Sequence, residues 1–374
     1  MGSVQQNQTN RALRLTPNYR VQIKGCWLIK MNNGGNHPEN SIKTALSHYF
    51  DILEGKELSY FHKSSFIPVK ARKSLPDQWE EHEGVKERFK YTDVSSTLEK
   101  PPFSYLDLKI AIAEKLFEKC IFCQRKCEVN RNEEPGICGV MKSKIASEFL
   151  HMGEEAPLIP SHTVFFTGCT FKCVFCQNMD ISQHPDEGMI YSEEELAELI
   201  DNRRLDGSRN VNFVGGDPNP HLLYILKTIG LVKENVPVIW NSNFYMSWEA
   251  MHLLDGVIDL YLSDFKYGND DCAMRLSGIS DYWEVVTRNH KLAFQSGDMI
   301  IRHLVLPGHV ECCTLPILDW IYENLGKEVV LNIMAQYRPL YGAFNHPELS
   351  RFLNRQEYVK AVDYARKLGF VNLI

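Results

Sequence analysis

Residues 163–178 read TVFFTGCTFKCVFCQN, an apolar β-type run followed at once by a glycine and three cysteines, Cys169, Cys173 and Cys176. Three thiolates are too few to close a tetrahedral structural metal site, which takes four protein ligands. They suffice to hold three irons of a four-iron, four-sulfur cluster and leave the fourth iron open to a small molecule. A zinc site completed by a distant histidine is the competing reading.

The same strand-like signal recurs downstream. VNFV (211–214), VPVIW (236–240), VIDLYL (257–262), MIIRHLV (299–305) and VVLNIM (329–334) are apolar runs separated by helical patterns. One of these, SEEELAELIDNRRL (192–205), opens with Ser192 and Glu195 spaced as a helix-start capping box. Strands alternating with helices imply a parallel α/β fold, and six such units suit a partial (βα)6 barrel. Ligands of such folds sit at the carboxyl ends of the strands, where the cysteine triplet falls.

The chain has 374 residues, 44% hydrophobic and 24% charged, with a net charge of −6, the profile of a soluble globular protein. The mild acidity argues against nucleic acid or an anionic membrane as partner. No apolar run approaches the roughly 18 residues that span a bilayer. The start, MGSVQQNQTNRALR, lacks a signal-peptide core, so a cytoplasmic location is expected. Three segments follow from the patterning: an N-terminal extension over 1–100 without clean periodicity, a metal-binding segment over 101–160, and the barrel over 161–374.

Eleven cysteines in a chain expected to be cytoplasmic point to metal rather than disulfides. Cys120, Cys123, Cys127 and Cys138 form a second cluster, CIFCQRKC followed by a single cysteine. Four thiolates suit one iron or zinc ion, or a second iron–sulfur cluster. Cys26, Cys272, Cys312 and Cys313 are scattered and are read as small buried apolar residues.

The spacing Cys169-x3-Cys173-x2-Cys176 after a first strand resembles the signature of the radical S-adenosylmethionine enzymes. That resemblance implies a [4Fe-4S] cluster, S-adenosylmethionine chelated at the open iron, and reductive cleavage to a 5'-deoxyadenosyl radical. It implies further site residues. VGGDPNP resembles the glycine-glycine-acid motif, with Gly215, Gly216 and Asp217 at the methionyl amino group, although as a bare sequence it is also a turn. Phe175 matches an aromatic position against adenine, or a core contact. Asn241 and Asn243 of WNSNFY match a region that touches ribose.

YLSDFKYG resembles the strand end of enzymes that activate pyruvate formate-lyase, placing Lys266 at the methionyl carboxylate and Asp264 beside it. Arg302 of IIRHLVLPG matches a strand whose arginine approaches the same ligand. Surface ion pairs are the alternative for these charges. CIFCQRKCEVNRNEEPGICG, together with FFTGCTFKCVFCQNMDISQ, is similar to the PflX-like branch, over about 118–374. With its long N-terminal extension and its GGD motif, this PflX-like chain also resembles the archaeal enzyme that C-methylates a glutamine of methyl-coenzyme M reductase. These resemblances imply a protein substrate, the reductase alpha subunit first among candidates, and a low-potential electron donor such as ferredoxin or flavodoxin. Methylation implies cobalamin as methyl donor, although the Asp-x-His-x-x-Gly cobalamin motif is absent, and residues 1–100, with GCWLIK and ELSYFHKSSF, become the candidate cobalamin or substrate module. Glycyl-radical activation is the alternative activity, and a non-enzymatic metal or redox-sensing protein the third reading.

Overall fold

The computed structural model describes residues 38–94 and 99–374. By its contacts the chain divides into Met1–Asn36, which with Cys26 and GCWLIK lies outside the described residues, and His37–Ile374, a single compact unit.

Among the described residues, seven strands build one sheet: β1 (Ile145–His151), β2 (Ser161–Phe166), β3 (Asn210–Gly215), β4 (Val238–Ser242), β5 (Leu260–Asp264), β6 (Asp298–Leu304) and β7 (Val330–Met334). They lie side by side in chain order. β2 to β7 are parallel and correspond to the six apolar runs; β1, which pairs antiparallel to β2, has no counterpart in the sequence reading. β1 and β7 form the two edges, so the barrel is partial.

The period-2 alternation of strands sorts the side chains into two layers. Phe213, Trp240, Tyr261, Ile301 and Leu331 face outward into the main core, where the helices cover them. These helices include Glu193–Leu205, which starts at the expected Ser192/Glu195 capping box. The opposite face turns inward. At the amino ends of the strands it is apolar, with Ile239, Leu260, Ile300 and Val330 packed around Leu46 and Tyr49. Further along the same face come Asn241, Asp264 and Arg302, two residues or a multiple of two beyond those apolar positions, as a strand requires.

Within the N-terminal extension, residues 38–94 contain more order than their composition suggests. Helices form at Pro38–Ala45, Ser47–Leu53, Tyr60–Phe66 and Leu75–Phe89. The second of these plugs the amino-terminal mouth of the barrel: the Tyr49 amide donates to Asp298 Oδ2 at 2.8 Å, and Asn210 Nδ2 donates to the Tyr49 hydroxyl at 2.9 Å. In Leu75–Phe89 the buried face is Gln78, His82, Val85 and Phe89. Two polar residues on that stripe hide the helical period from a hydropathy reading. His82 Nε2 accompanies the wholly buried Lys109 at 2.9 Å, which in turn donates to the His252 carbonyl at 3.1 Å.

Candidate active site

Two glycines determine how the cysteine loop meets the sheet. Gly215, at φ +118°, has no room for a side chain: a Cβ there would lie 2.2 Å from the backbone of Phe166 on β2. A Cβ on Gly216 would stand 2.0 Å from the Gly168 carbonyl oxygen. The bare backbones thus let the end of β3 approach the loop that begins at Gly168, itself in the left-handed region at φ +78°.

Above them a cavity of about 250 Å³ opens at the carboxyl ends of the strands. Cys169, Cys173 and Cys176 line it, together with Phe175, Gly215, Gly216, Asn241, Asn243, Asp264, Lys266 and Arg302. The barrel therefore gathers residues from β3, β4, β5 and β6 and the loop after β2 into one place. Sulfur is hydrogen-bonded throughout: the Phe171 amide donates to Cys169 Sγ at 3.3 Å and the Ser277 hydroxyl to Cys173 Sγ at 3.0 Å, while Cys176 Sγ lies 3.2 Å from Ser182 Oγ. Burial raises the Cys173 thiol to about 11 despite the nearby Lys266, and lifts Cys169 well above the ordinary thiol value. Such thiols ionise on binding a metal cation, which releases their protons.

Across the cavity the charges are arranged in opposed pairs. The β5–β6 register sets Asp264 beside Arg302. Asp264 accepts from Lys266 Nζ at 2.7 Å and from Arg302 Nε at 3.1 Å. Burial works to raise its carboxyl, but Lys266 and Arg302 outweigh that and hold it below the usual carboxylate range. Arg302 also reaches Glu154 at 3.5 Å and Asn241 Oδ1. Asn241 Nδ2 is buried with no partner, a free donor at the cavity. Glu154 escaped the sequence reading because it lies in the connection after β1, a segment with no motif.

Asp217 stands apart from its expected companions. It is 1% exposed, does not line the cavity, and accepts from the Thr170 hydroxyl at 2.7 Å. Thr170 in turn receives Asn243 Nδ2 at 2.9 Å. Burial raises the Asp217 carboxyl to about 6.

The second cysteine cluster lies behind the same loop. Cys120, Cys123, Cys127 and Cys138 line a void of about 10 Å³ that Thr170 and Asn219 also border, room for about one water-sized sphere. Lys126 and Glu128 take left-handed φ of 40° and 58° on either side of Cys127, strain of the kind that collects at functional sites. Gly136 brings its backbone against Cys127 and Cys138, with a Cβ position 3.3 and 3.4 Å from their sulfurs.

Of the scattered cysteines, Cys272 and Cys313 are buried as the sequence reading expects, but they are not isolated. Cys312 is exposed, and Cys272, Cys312 and Cys313 converge on His309. Their separation by 40 residues of chain hid the grouping.

The family model of the radical SAM superfamily matches residues 163–321. The uncharacterized protein MJ0674 of Methanocaldococcus jannaschii is 48% identical over 331 residues, covering 86% of this chain and 97% of that protein. Among solved structures, the fold is similar to HydG, a maturase of the [FeFe]-hydrogenase, with a TM-score of 0.43 at 13% identity, over 90% of this chain and 64% of that one. It is also similar to Streptococcus suis SuiB bound to the precursor peptide SuiA, with a TM-score of 0.40 at 14% identity, over 55% of this chain and 46% of that one. Among the described residues, no helix is long and apolar enough to cross a membrane.

Proposed function

We propose that this chain is a radical S-adenosylmethionine enzyme, as the match of that superfamily's model to residues 163–321 supports, that Cys169, Cys173 and Cys176 hold its [4Fe-4S] cluster, and that it C-methylates a glutamine side chain of a protein, methyl-coenzyme M reductase first. The observation that carries the site assignment is the convergence of three hydrogen-bonded thiols on one open cavity at the strand ends. When bound, the cluster supplies one electron to S-adenosylmethionine, whose C–S bond breaks to give methionine and a 5'-deoxyadenosyl radical.

The chain's own residues then have these parts. Gly215 and Gly216 keep side chains out of the cavity floor. Phe175, which lines the cavity and is backed by the buried Tyr267 and Tyr337 at ring distances of 6.4 and 6.0 Å, offers its ring to adenine. Lys266 and Arg302 are the cations for the methionyl carboxylate, with Asp264 held between them. Asn241 and Asn243 supply polar edges for the ribose. Asp217, bonded through Thr170, orders the Cys169 loop from beneath. The cysteine quartet holds one iron or zinc ion; a void of about 10 Å³ suits a single ion better than a cluster.

The methylation reading rests on the resemblance of a PflX-like chain with a long N-terminal extension and the Gly215-Gly216-Asp217 motif to the archaeal enzyme. Glycyl-radical activation is favoured in turn by the YLSDFKYG segment. One assay separates the two. Anaerobic protein with a reductant, S-adenosylmethionine and a glutamine-containing reductase peptide is incubated with and without cobalamin. Methylation gives 5'-deoxyadenosine, S-adenosylhomocysteine and a peptide heavier by one methylene. If 5'-deoxyadenosine alone appears, and a glycyl-radical enzyme acquires a backbone radical, the methylation reading is wrong.

A further inference from the structure

In the segments that follow β5 and β6, four side chains that no motif links come together. Cys272, His309, Cys312 and Cys313 each present one ligand atom, and the four atoms all lie within 4.8 Å of one another. Cys272 Sγ and Cys312 Sγ stand 3.5 and 3.4 Å from His309 Nδ1, and Cys313 Sγ stands 3.9 Å from it. Cys312 Sγ is 3.9 Å from each of the other two sulfurs. A tetrahedron with Zn–S near 2.3 Å and Zn–N near 2.0–2.1 Å has edges of roughly 3.8 Å between sulfurs and roughly 3.6 Å between sulfur and nitrogen. The observed separations match those edges, and none is short enough for a disulfide, whose sulfurs sit about 2.05 Å apart.

From these distances we infer that this chain carries a structural Cys3His zinc site. Four protein ligands close the coordination shell, so the ion binds no substrate and serves the fold. The local structure is built for it. Asn269 caps the helix Asp270–Ser277 by accepting from the Cys272 amide at 2.8 Å, which sets that thiol in the first turn. His309, Cys312 and Cys313 share the single wide turn around Val310–Thr314, so three ligands come from five consecutive residues. Gly268 lets the two segments touch: a Cβ there would be 2.7 Å from the Cys312 carbonyl oxygen and from Cys313 Cα.

The far nitrogen of His309 faces both a carboxylate and a guanidinium. Glu348 Oε1 lies 3.7 Å from His309 Nε2 and is paired to Arg275, placing a carboxylate behind the metal-facing imidazole. Arg275 Nη2 is also 3.2 Å from Nε2. Zinc at Nδ1 selects the tautomer with the proton on Nε2, and so shifts that nitrogen's partner from Arg275 to Glu348. The site's position explains its use. Cys272 follows β5, which ends at Asp264 and leads to Lys266, and the other three ligands follow β6, which carries Arg302. One ion thus ties together the two loops whose strands meet at the Asp264–Arg302 pair.

The test is elemental analysis of full-length protein purified without oxygen, comparing wild type with Cys312→Ser and Cys272→Ser. Each substitution should lower bound zinc by one equivalent per chain, whatever metal the Cys120 quartet holds. A wild-type measurement needs no variant to fold: peptide mapping after N-ethylmaleimide should find exposed Cys312 unlabelled until a strong chelator is added, then labelled at least tenfold faster. Zinc content unchanged in both variants, or Cys312 labelled equally fast with and without chelator, would overturn the site. Iron lost in place of zinc would overturn the choice of metal.

Discussion

Replacing Gly216 by Ala adds one methyl group where the structure has no space. Its Cβ would sit 2.0 Å from the Gly168 oxygen, 2.8 Å from the Gly168 carbon and 2.9 Å from Ser182 Cα. Ordinary contact begins near 3.4 Å, so the two segments must part by about 1.4 Å. Every obstructing atom is backbone, so no rotamer change relieves the overlap. Overpacking of this kind costs about 1–3 kcal/mol, and the displacement falls on the loop that starts one residue before Cys169. A misplacement near 1 Å in a reacting assembly costs about 100-fold in rate. The expected outcome is a lowered melting temperature together with a loss of about two orders of magnitude in reductive cleavage of S-adenosylmethionine. Gly84→Ala is the control: Gly84 lies in the helix Leu75–Phe89 with nothing within 4 Å of a Cβ, and the change should stabilise by about 0.5–1 kcal/mol. Thermal unfolding, iron and sulfide content and 5'-deoxyadenosine yield are measured on both. A Gly216→Ala protein with wild-type melting and wild-type cleavage refutes the steric account of this motif.

Three further outcomes follow from the site. Cys173→Ala should abolish cleavage while leaving a folded protein, whereas Cys123→Ala should first lower metal content and stability, since a closed metal site contributes folding free energy; normal cleavage in Cys173→Ala sinks the cluster assignment. Lys266→Ala should weaken S-adenosylmethionine binding by about 1.5–3 kcal/mol, the range for a charge-assisted hydrogen bond; unchanged affinity by titration leaves Lys266 as a partner of Asp264 alone. Asp217, ordinarily near 3.8 and here about 6, binds its proton more tightly folded than unfolded, so stability declines as pH rises from about 4 through 6, by at most about 3 kcal/mol. Urea melts across that window should show the slope, and Asp217→Asn should flatten it; an identical slope in the variant refutes the assignment.

The barrel and the position of the cysteine triplet on it were legible in the sequence because they depend on residues close together in the chain. Strand periodicity is local, and so is the spacing of Cys169, Cys173 and Cys176, which sit in one loop; these sufficed for the parallel barrel and for placing the triplet at its carboxyl end. Asp264, Lys266 and Arg302 were each marked by their strand ends, but only the β5–β6 register decides that Arg302 pairs with Asp264. Burial is likewise a property of the fold. The same Gly-Gly-Asp reading that placed Gly215 and Gly216 at the cavity put Asp217 there too, whereas packing turns its carboxyl toward Thr170. The plug at Leu46 and Tyr49 is hidden because its partners are inward residues of β4 to β7, far along the chain. Cys272 and His309 meet for the same reason: neighbouring parallel strands bring their following loops side by side, however many residues the connecting helices contain.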